Sequence, residues 1–169
     1  MRATDTIVVL EQGRELGYSF ADLMHYHGFG FPGGVAHAFK VMQRTLPLLD
    51  AGRPVERREV EIRTAFQGPG ARDAFEMVTR CLTEKRYVVD DALARPERGV
   101  TLARYVFVFT YRGTTVRLQI REGHVRDEFI ALGGKRDRTA EEEARLEWLK
   151  HDMAERLLAA RADEVYDVC

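Results

Sequence analysis

Residues 105–121 read YVFVFTYRGTTVRLQIR. Two runs that are rich in β-branched and aromatic residues, Tyr105–Tyr111 and Thr114–Arg121, flank the dipeptide Arg112-Gly113. A two-residue connection that ends in glycine is typical of a tight β-hairpin. Apolar residues occupy both alternating faces of the first run, which predicts a central strand that is covered on both sides. The sequence therefore predicts an antiparallel sheet built around this hairpin.

The segments before the hairpin predict three helices and a further strand. A short helix is expected over Phe20–Tyr26. Apolar residues recur at helical spacing after Pro32, which predicts a second helix over Val35–Leu49 that Pro47 and then residues 50–54 end. Alternation over Glu56–Phe66 predicts a half-buried strand, and the pattern of Ala71–Leu82 predicts a helix.

The C-terminal part predicts one long helix over about residues 139–162. Thr139 and Glu142 have the spacing of a capping box at its start. The order of helices and strands is typical of an α+β fold with a mostly antiparallel sheet packed by helices. We expect a single domain over residues 1–169, with a glycine- and histidine-rich motif region at 20–34.

Composition excludes several classes of function. The 169 residues carry 26 Lys and Arg against 27 Asp and Glu, so the formal net charge is −1. This balance does not favour a nucleic-acid partner, which normally attracts a basic excess. Apolar runs are too short to span a membrane, and we expect a cytoplasmic protein. Cys81 and Cys169 are the only cysteines, too few for a disulfide framework.

Three of the five histidines, His25, His27 and His37, lie in or near the motif region. Glycines and aromatic residues surround them just before a predicted helix start, where unpaired backbone N–H groups favour an anion. Imidazoles in such a place can act as metal ligands or as acid/base groups near neutral pH. The alternative is a glycine-rich loop with packed aromatic residues and surface histidines.

A second loop-to-helix junction contains Asp73, and the same helix carries Cys81. A carboxylate in a first helical turn is often only a capping group, because the helix dipole stabilises it there. A lone buried thiol is more often a small core residue than a ligand. From the residues alone, both structural roles are the stronger interpretations.

Four motifs together resemble the core domain of the FmdE family, whose name comes from a component of formylmethanofuran dehydrogenase. The family opens with His-Gly-His-Leu-Cys-Pro-Gly before a helix, and residues 27–33 read HGFGFPG. Its acidic-Ala pair followed by Thr-x-Cys is similar to residues 73–81, DAFEMVTRC. Its aromatic hairpin and its acidic final strand are similar to residues 105–117 and to 163–168, DEVYDV. The resemblance covers most of the chain and implies His27, Asp73 and Cys81 as site residues.

The chain departs from the family pattern at the metal ligands. Phe29 stands where the family has its second histidine, and Phe31 stands where it has the motif cysteine. Gly70 falls about where a further cysteine often precedes the helix. We expect no cysteine-rich zinc ribbon of the kind that follows the core in some members, since only two cysteines are present. His25 and His37 are additions that could rebuild a histidine-rich site.

The resemblance also implies an intertwined homodimer. The strand Tyr105–Tyr111 and the helix after Pro32 predict the same, because both carry more apolar surface than one small domain covers. His37 projects away from the main apolar stripe of its helix, so we expect it at the surface unless a partner subunit covers it.

Three hypotheses for the function follow. The first is a small enzyme or ligand-binding protein with a transition metal, such as zinc, iron or nickel, held by His25, His27 and His37. The second is a metal-free pocket in which His27 is the acid or base, supported by Asp73 or Cys81. In this pocket an apolar substrate, a small molecule, would contact Tyr26, Phe29 and Phe31. The third is a dimeric interaction module without catalysis.

Overall fold

The computed structural model of the protein describes residues 5–169. They form one α+β domain with a mostly antiparallel sheet, which confirms the predicted fold class. Residues 1–4, which the predicted domain included, lie outside the described residues. The strands are β1 (Thr6–Glu11), β2 (Arg14–Ser19), β3 (Glu61–Thr64), β4 (Tyr87–Val89), β5 (Val106–Tyr111), β6 (Thr114–Ile120) and β7 (Tyr166–Val168). The helices are α1 (Phe20–His27), α2 (Pro32–Leu49), α3 (Pro69–Thr79), α4 (Asp127–Gly134), α5 (Ala140–Ala159) and α6 (Ala162–Val165).

The main sheet has the strand order β4-β3-β5-β6-β7. β5 and β6 pair antiparallel through the predicted turn, where Arg112 and Gly113 both have positive φ. β3 pairs antiparallel with β5, β7 pairs antiparallel with β6, and the short β4 runs parallel to β3. The hairpin therefore lies at the centre of the sheet, as its sequence predicts.

α2 is the central helix of the domain, and most of its residues are buried. It packs against the sheet and against α1, α3 and α5. It begins at Pro32 and runs through Pro47 to Leu49, which is the predicted end. The sequence analysis expected a partner subunit to cover part of the apolar surface of this helix. That surface is instead covered within one chain. On β5 the second face is covered only in part, since Val106 is buried while Val108 and Thr110 are half-buried.

Several predicted elements are confirmed, and two others were not predicted. The capping box of Thr139 and Glu142 begins α5, and the short helix α1 follows a capping box of Ser19 and Asp22. The sequence pattern did not predict the hairpin of β1 and β2, nor a helix at α4. The predicted helix Ala71–Leu82 is shifted to Pro69–Thr79. No helix among residues 5–169 is both long and apolar enough to cross a membrane.

Candidate active site

The candidate site lies where the end of α1 meets the start of α3. His27 is the last residue of α1, and Gly28 ends the helix at a φ of 90° that favours glycine. The backbone N–H of Gly28 donates to the carbonyl of Met24 at 2.7 Å. Since α1 contains His27 in its last turn, the position of the imidazole is fixed by helical geometry rather than by the loop that follows.

A close approach of two backbones positions the first turn of α3. A Cβ atom on Gly70 would lie 2.6 Å from the carbonyl oxygen of Phe31 and 3.0 Å from the backbone nitrogen of Val35. Only glycine fits at this distance without a shift of the backbone. The contact holds α3 against the start of α2 and leaves Asp73, one turn further along α3, beside the end of α1.

The structure brings His27 and Asp73 together although 46 residues separate them in sequence. The imidazole Nδ1 and the Asp73 Oδ2 lie 2.8 Å apart. An ionised carboxylate only accepts hydrogen bonds, so Nδ1 is the donor in this pair. The second carboxylate oxygen, Oδ1, accepts a bond from Arg72 Nε at 3.2 Å. Asp73 is thus held at both oxygens, and it fixes the tautomer of His27.

The second ring nitrogen of His27 has no partner in the described part of the chain. The side chain is 7% exposed, and its Nε2 is buried without a hydrogen bond to any of the described residues. With Nδ1 protonated, neutral imidazole carries an acceptor lone pair at Nε2. A buried polar atom without a partner is costly and calls for an explanation, and a ligand or substrate is one.

Aromatic and basic side chains border the imidazole. The Phe31 ring lies 5.9 Å from the His27 ring, and the Lys150 ammonium lies 4.7 Å from the centroid of the Phe31 ring. Tyr26 and Phe31 are about half exposed, and Phe29 is 92% exposed. Phe31 is therefore the predicted substrate-binding residue that the structure places against His27, while such a role for Tyr26 and Phe29 stays a prediction.

The structure does not assemble the predicted set of His25, His27 and His37. His25 and His27 are two residues apart on one helix and so diverge by about 200°; His25 is exposed, whereas His27 is turned inward. α1 ends at His27, one residue beyond the predicted helix end near Tyr26, so His27 belongs to the helix rather than to the loop that follows it. Among residues 5–169 no group of three or more His, Cys, Asp or Glu side chains is arranged to hold a metal ion.

His37 lies in the core, and the expectation of a surface position without a partner subunit is wrong. It is fully buried within one chain. Its Nδ1 lies 2.8 Å from the hydroxyl of Tyr166, and its Nε2 lies 3.3 Å from the sulfur of Met153. Burial lowers the pKa of His37 to about 3, so the ring is neutral at physiological pH. Both nitrogens have partners, which indicates a structural role.

Cys81 is also a core residue. α3 ends at Thr79, and Arg80 in the left-handed conformation leads into the turn that contains Cys81. The thiol is fully buried, and this burial raises its pKa to about 11. A reactive cysteine needs exposure and thiolate character, and Cys81 has neither.

Sequence reasoning missed Arg72, Lys150 and the role of Gly70. Arg72 adjoins the singled-out Asp73, so its proximity could have been noticed. Lys150 lies on α5, more than a hundred residues from Phe31, and no local pattern connects the two. Gly70 was noted only as the place of an absent cysteine, whereas the structure shows that no side chain fits there.

No protein-family model matches this chain, and no curated protein is significantly similar to it. The resemblance to the FmdE family therefore stays a prediction that rests on the four motifs.

Proposed function

We propose that His27 and Asp73 form a general acid–base site that acts on a small, largely apolar substrate. The observation that carries this proposal is the state of the imidazole: Nδ1 is held by the carboxylate of Asp73, while Nε2 is buried and unpartnered among the described residues. This is the arrangement in which a carboxylate orients a histidine so that its other nitrogen exchanges protons with a substrate. The resemblance to the FmdE family supports it, since His27 and Asp73 are two residues that the family pattern shares.

In the proposed reaction, Nε2 of His27 accepts a proton from the substrate or from a water molecule. The imidazolium that forms is stabilised by the carboxylate of Asp73, to which Nδ1–H continues to donate. Arg72 donates to the other carboxylate oxygen and so helps to hold Asp73 in the position from which it accepts the bond from His27. Nε2 then gives the proton to the product, or to solvent where the product leaves as an anion, so the imidazole is regenerated in the same tautomer.

Phe31 controls access to Nε2 in this proposal. Nε2 is buried and the Phe31 ring borders the imidazole, so a movement of Phe31 would open a path from the surface to this nitrogen. Gly28 and Gly30 flank the exposed Phe29 in the same loop and allow such a movement. The aromatic surface of Tyr26, Phe29 and Phe31 suits an apolar substrate body. Phe31→Ala should increase the rate at which diethyl pyrocarbonate modifies His27, as measured by peptide mass spectrometry.

The proposal is tested with p-nitrophenyl acetate as the probe, because its phenolate leaves without a proton and only a base is needed. His27→Gln should lower the rate of hydrolysis by about 100-fold, the usual contribution of general acid–base catalysis. Asp73→Asn should lower it by less. His25→Gln is the matched control, since it removes an exposed imidazole from the same helix and should leave the rate unchanged.

Two results would contradict the acid–base site. One is a His27→Gln variant that keeps its fold, by circular dichroism, and hydrolyses the ester as fast as the wild type. The other is a wild-type rate that falls equally in His25→Gln and His27→Gln, because exposed imidazoles alone would then explain the hydrolysis.

A second candidate function is a transition-metal site shared between two copies of the chain. A carboxylate that accepts from one ring nitrogen is a common partner of a histidine that binds a metal through the other. Among residues 5–169 no group of three or more His, Cys, Asp or Glu side chains could hold a metal ion, so ligands in addition to Nε2 of His27 would come from a homodimer partner. Zinc, iron or nickel that co-purifies with the untagged wild type and is absent from His27→Gln would support this candidate. Equal metal content in both proteins, or a monomer by light scattering, would contradict it.

A further inference from the structure

A large open cavity is bordered by the start of β1, the later turns of α2 and the end of α5. Its volume is about 890 Å³, within the range of small-molecule sites. Most of its wall is apolar, with contributions from the start of β1, the later turns of α2 and the connection between α5 and α6. Representative apolar lining residues are Ile7, Leu46, Pro54 and Leu158.

Lys40 is the unusual residue in this wall. It is only 6% exposed, although lysine is among the residues least often buried without a partner. Among residues 5–169 no carboxylate lies within 4 Å of its ammonium group, and no described group accepts a hydrogen bond from it. Asp5 and Glu164 act on it only at longer range. Burial lowers the pKa of Lys40, because the site stabilises the charged form less well than water does.

Two of the three other cations of the cavity wall have a carboxylate partner. Arg53 binds Asp50 at 2.7 Å, and Arg161 binds Asp163 at 2.6 Å. Arg44 donates from Nε to the backbone carbonyl of Tyr166 at 3.2 Å and has no carboxylate within 4 Å in the described part of the chain. Among residues 5–169, Lys40 and Arg44, one turn apart on α2, are thus the two cations of the wall without a carboxylate within 4 Å. The carboxylate of Asp5, which also lines the cavity, acts on Lys40 from a greater distance.

We propose that this cavity binds an organic anion with an apolar body, of the class of medium-chain carboxylates, whose head group pairs with Lys40 and Arg44. A carboxylate would form the close ion pair with the Lys40 ammonium that the described residues do not supply. The apolar wall would cover the body of such a ligand. An inorganic anion would meet the same charges but would leave that wall in contact with water.

The site is independent of the acid–base site. It is lined by β1, α2 and the α5–α6 connection, and neither His27 nor Asp73 takes part in it. Failure of one proposal therefore does not decide the other.

Isothermal titration calorimetry of the full chain with octanoate tests the proposal. Lys40→Met replaces the ammonium by an apolar group of similar length, which should fold at least as well because a buried unpaired charge is removed. Octanoate should bind the wild type and should lose at least about tenfold in affinity in Lys40→Met. Lys40→Arg, which keeps the charge, is the matched control and should bind more tightly than Lys40→Met. 1-Octanol should bind the wild type and Lys40→Met equally, since it has no charge for Lys40 to recognise.

The outcomes separate the sources of binding. Octanoate that binds the wild type and Lys40→Met with equal affinity, or no octanoate binding to the wild type, overturns the proposal. If inorganic phosphate binds as tightly as octanoate, the proposal that the apolar wall binds the body of the ligand is overturned. His27→Gln should bind octanoate as the wild type does, and a loss there would show that the ligand occupies the other site.

Discussion

His27 and His37 lie on consecutive helices, and both are withdrawn from solvent, but their surroundings differ in one respect. His37 uses both ring nitrogens, one toward the hydroxyl of Tyr166 and the other toward the sulfur of Met153. His27 uses only Nδ1, toward Asp73, and its Nε2 is left without a partner among the described residues. The first environment resembles a completed core, whereas the second lacks one hydrogen-bonding group.

This difference separates a structural histidine from a candidate catalytic one. A buried polar atom without a hydrogen bond costs on the order of 1–3 kcal/mol, so a partner such as a substrate that supplies the missing bond is favoured at His27 Nε2. Burial alone does not make the distinction, since His37 is the more buried of the two. The number of satisfied ring nitrogens does.

The largest expected effect is on the free energy of unfolding, and it tests whether His37 is a structural histidine. The pKa of His37 is lowered from 6.5 to about 3, chiefly by burial, with smaller contributions from the charges of His124 and Arg156. Below pH 6.5 the unfolded chain therefore binds a proton that the folded chain excludes, and the free energy of unfolding falls with falling pH until about pH 3. At pH 4.5 the loss from this one group is about 3 kcal/mol.

Urea unfolding at pH 7 and pH 4.5 measures this loss, and His37→Gln is the control because glutamine does not titrate. The difference in the free energy of unfolding between the two pH values should be smaller in the variant by about the contribution of His37. An equal pH dependence in both proteins would show that His37 is not held neutral, and the comparison with His27 would fail.

The second prediction concerns the contact that positions the acid–base site. Gly70→Ala adds a Cβ atom at 2.6 Å from the carbonyl oxygen of Phe31, and overpacking against backbone should lower the free energy of unfolding by about 2 kcal/mol. Gly30→Ala is the matched control: it lies in the neighbouring loop, has nothing within 4 Å of the added atom, and should change the stability by less than about 0.5 kcal/mol. Thermal and urea unfolding of both variants measure the effect. A Gly70→Ala variant as stable as the control would mean that the two backbones are not in contact.

Local sequence patterns predicted several helices and strands, whereas the geometry of the candidate site depends on contacts between residues that are far apart in sequence. The capping box at Thr139 and the turn at Arg112-Gly113 are complete within a few residues, so the sequence predicted α5 and the central hairpin correctly. β1 and β2 were not predicted, although Ile7 and Val9 alternate toward the core and the turn Gln12-Gly13 ends in glycine with both residues at positive φ, as Arg112-Gly113 does. The sequence therefore carried the same hairpin signal at both places.

The two histidines show the same limit at the level of side chains. Helical periodicity placed His37 off the apolar stripe of its helix, but Met153 and Tyr166, more than a hundred residues away, cover that face. His27 and Asp73 were each singled out from the sequence. Their pairing depends on the approach of α3 at Gly70, which no spacing of residues reveals.

The third prediction extends the comparison to the remaining candidate, Cys81. The thiol is fully buried in the core, so Cys81→Ala should cost about 1 kcal/mol of the free energy of unfolding through the loss of packing. In the native protein a maleimide should label Cys169, which is exposed, and leave Cys81 unlabelled. Peptide mass spectrometry distinguishes the two sites. Rapid labelling of Cys81 in the native protein would show that its thiol is accessible and would contradict its assignment as a core residue.

The smallest effect on stability, and the most direct test of the comparison, is expected at Asp73. Asp73→Asn keeps the shape of the side chain but removes its charge, and it should lower the free energy of unfolding by less than about 1 kcal/mol because the carboxylate is partly exposed. The informative readout is the tautomer of His27, seen in the ring nitrogen shifts of ¹⁵N-histidine-labelled protein. In the wild type Nδ1 should carry the proton, because the ionised carboxylate can only accept.

His124 provides an internal reference of the opposite kind. Its Nε2 lies 2.8 Å from the backbone carbonyl of Glu164, which also only accepts, so His124 should carry its proton on Nε2 when neutral. In Asp73→Asn the preference of His27 for Nδ1–H should weaken, since an amide can also donate to Nδ1, while His124 should not change. A wild-type His27 with its proton on Nε2 would contradict the proposed base, because the buried nitrogen would then have no lone pair with which to accept a proton. It would also remove the difference from His37 on which the assignment of the two histidines depends.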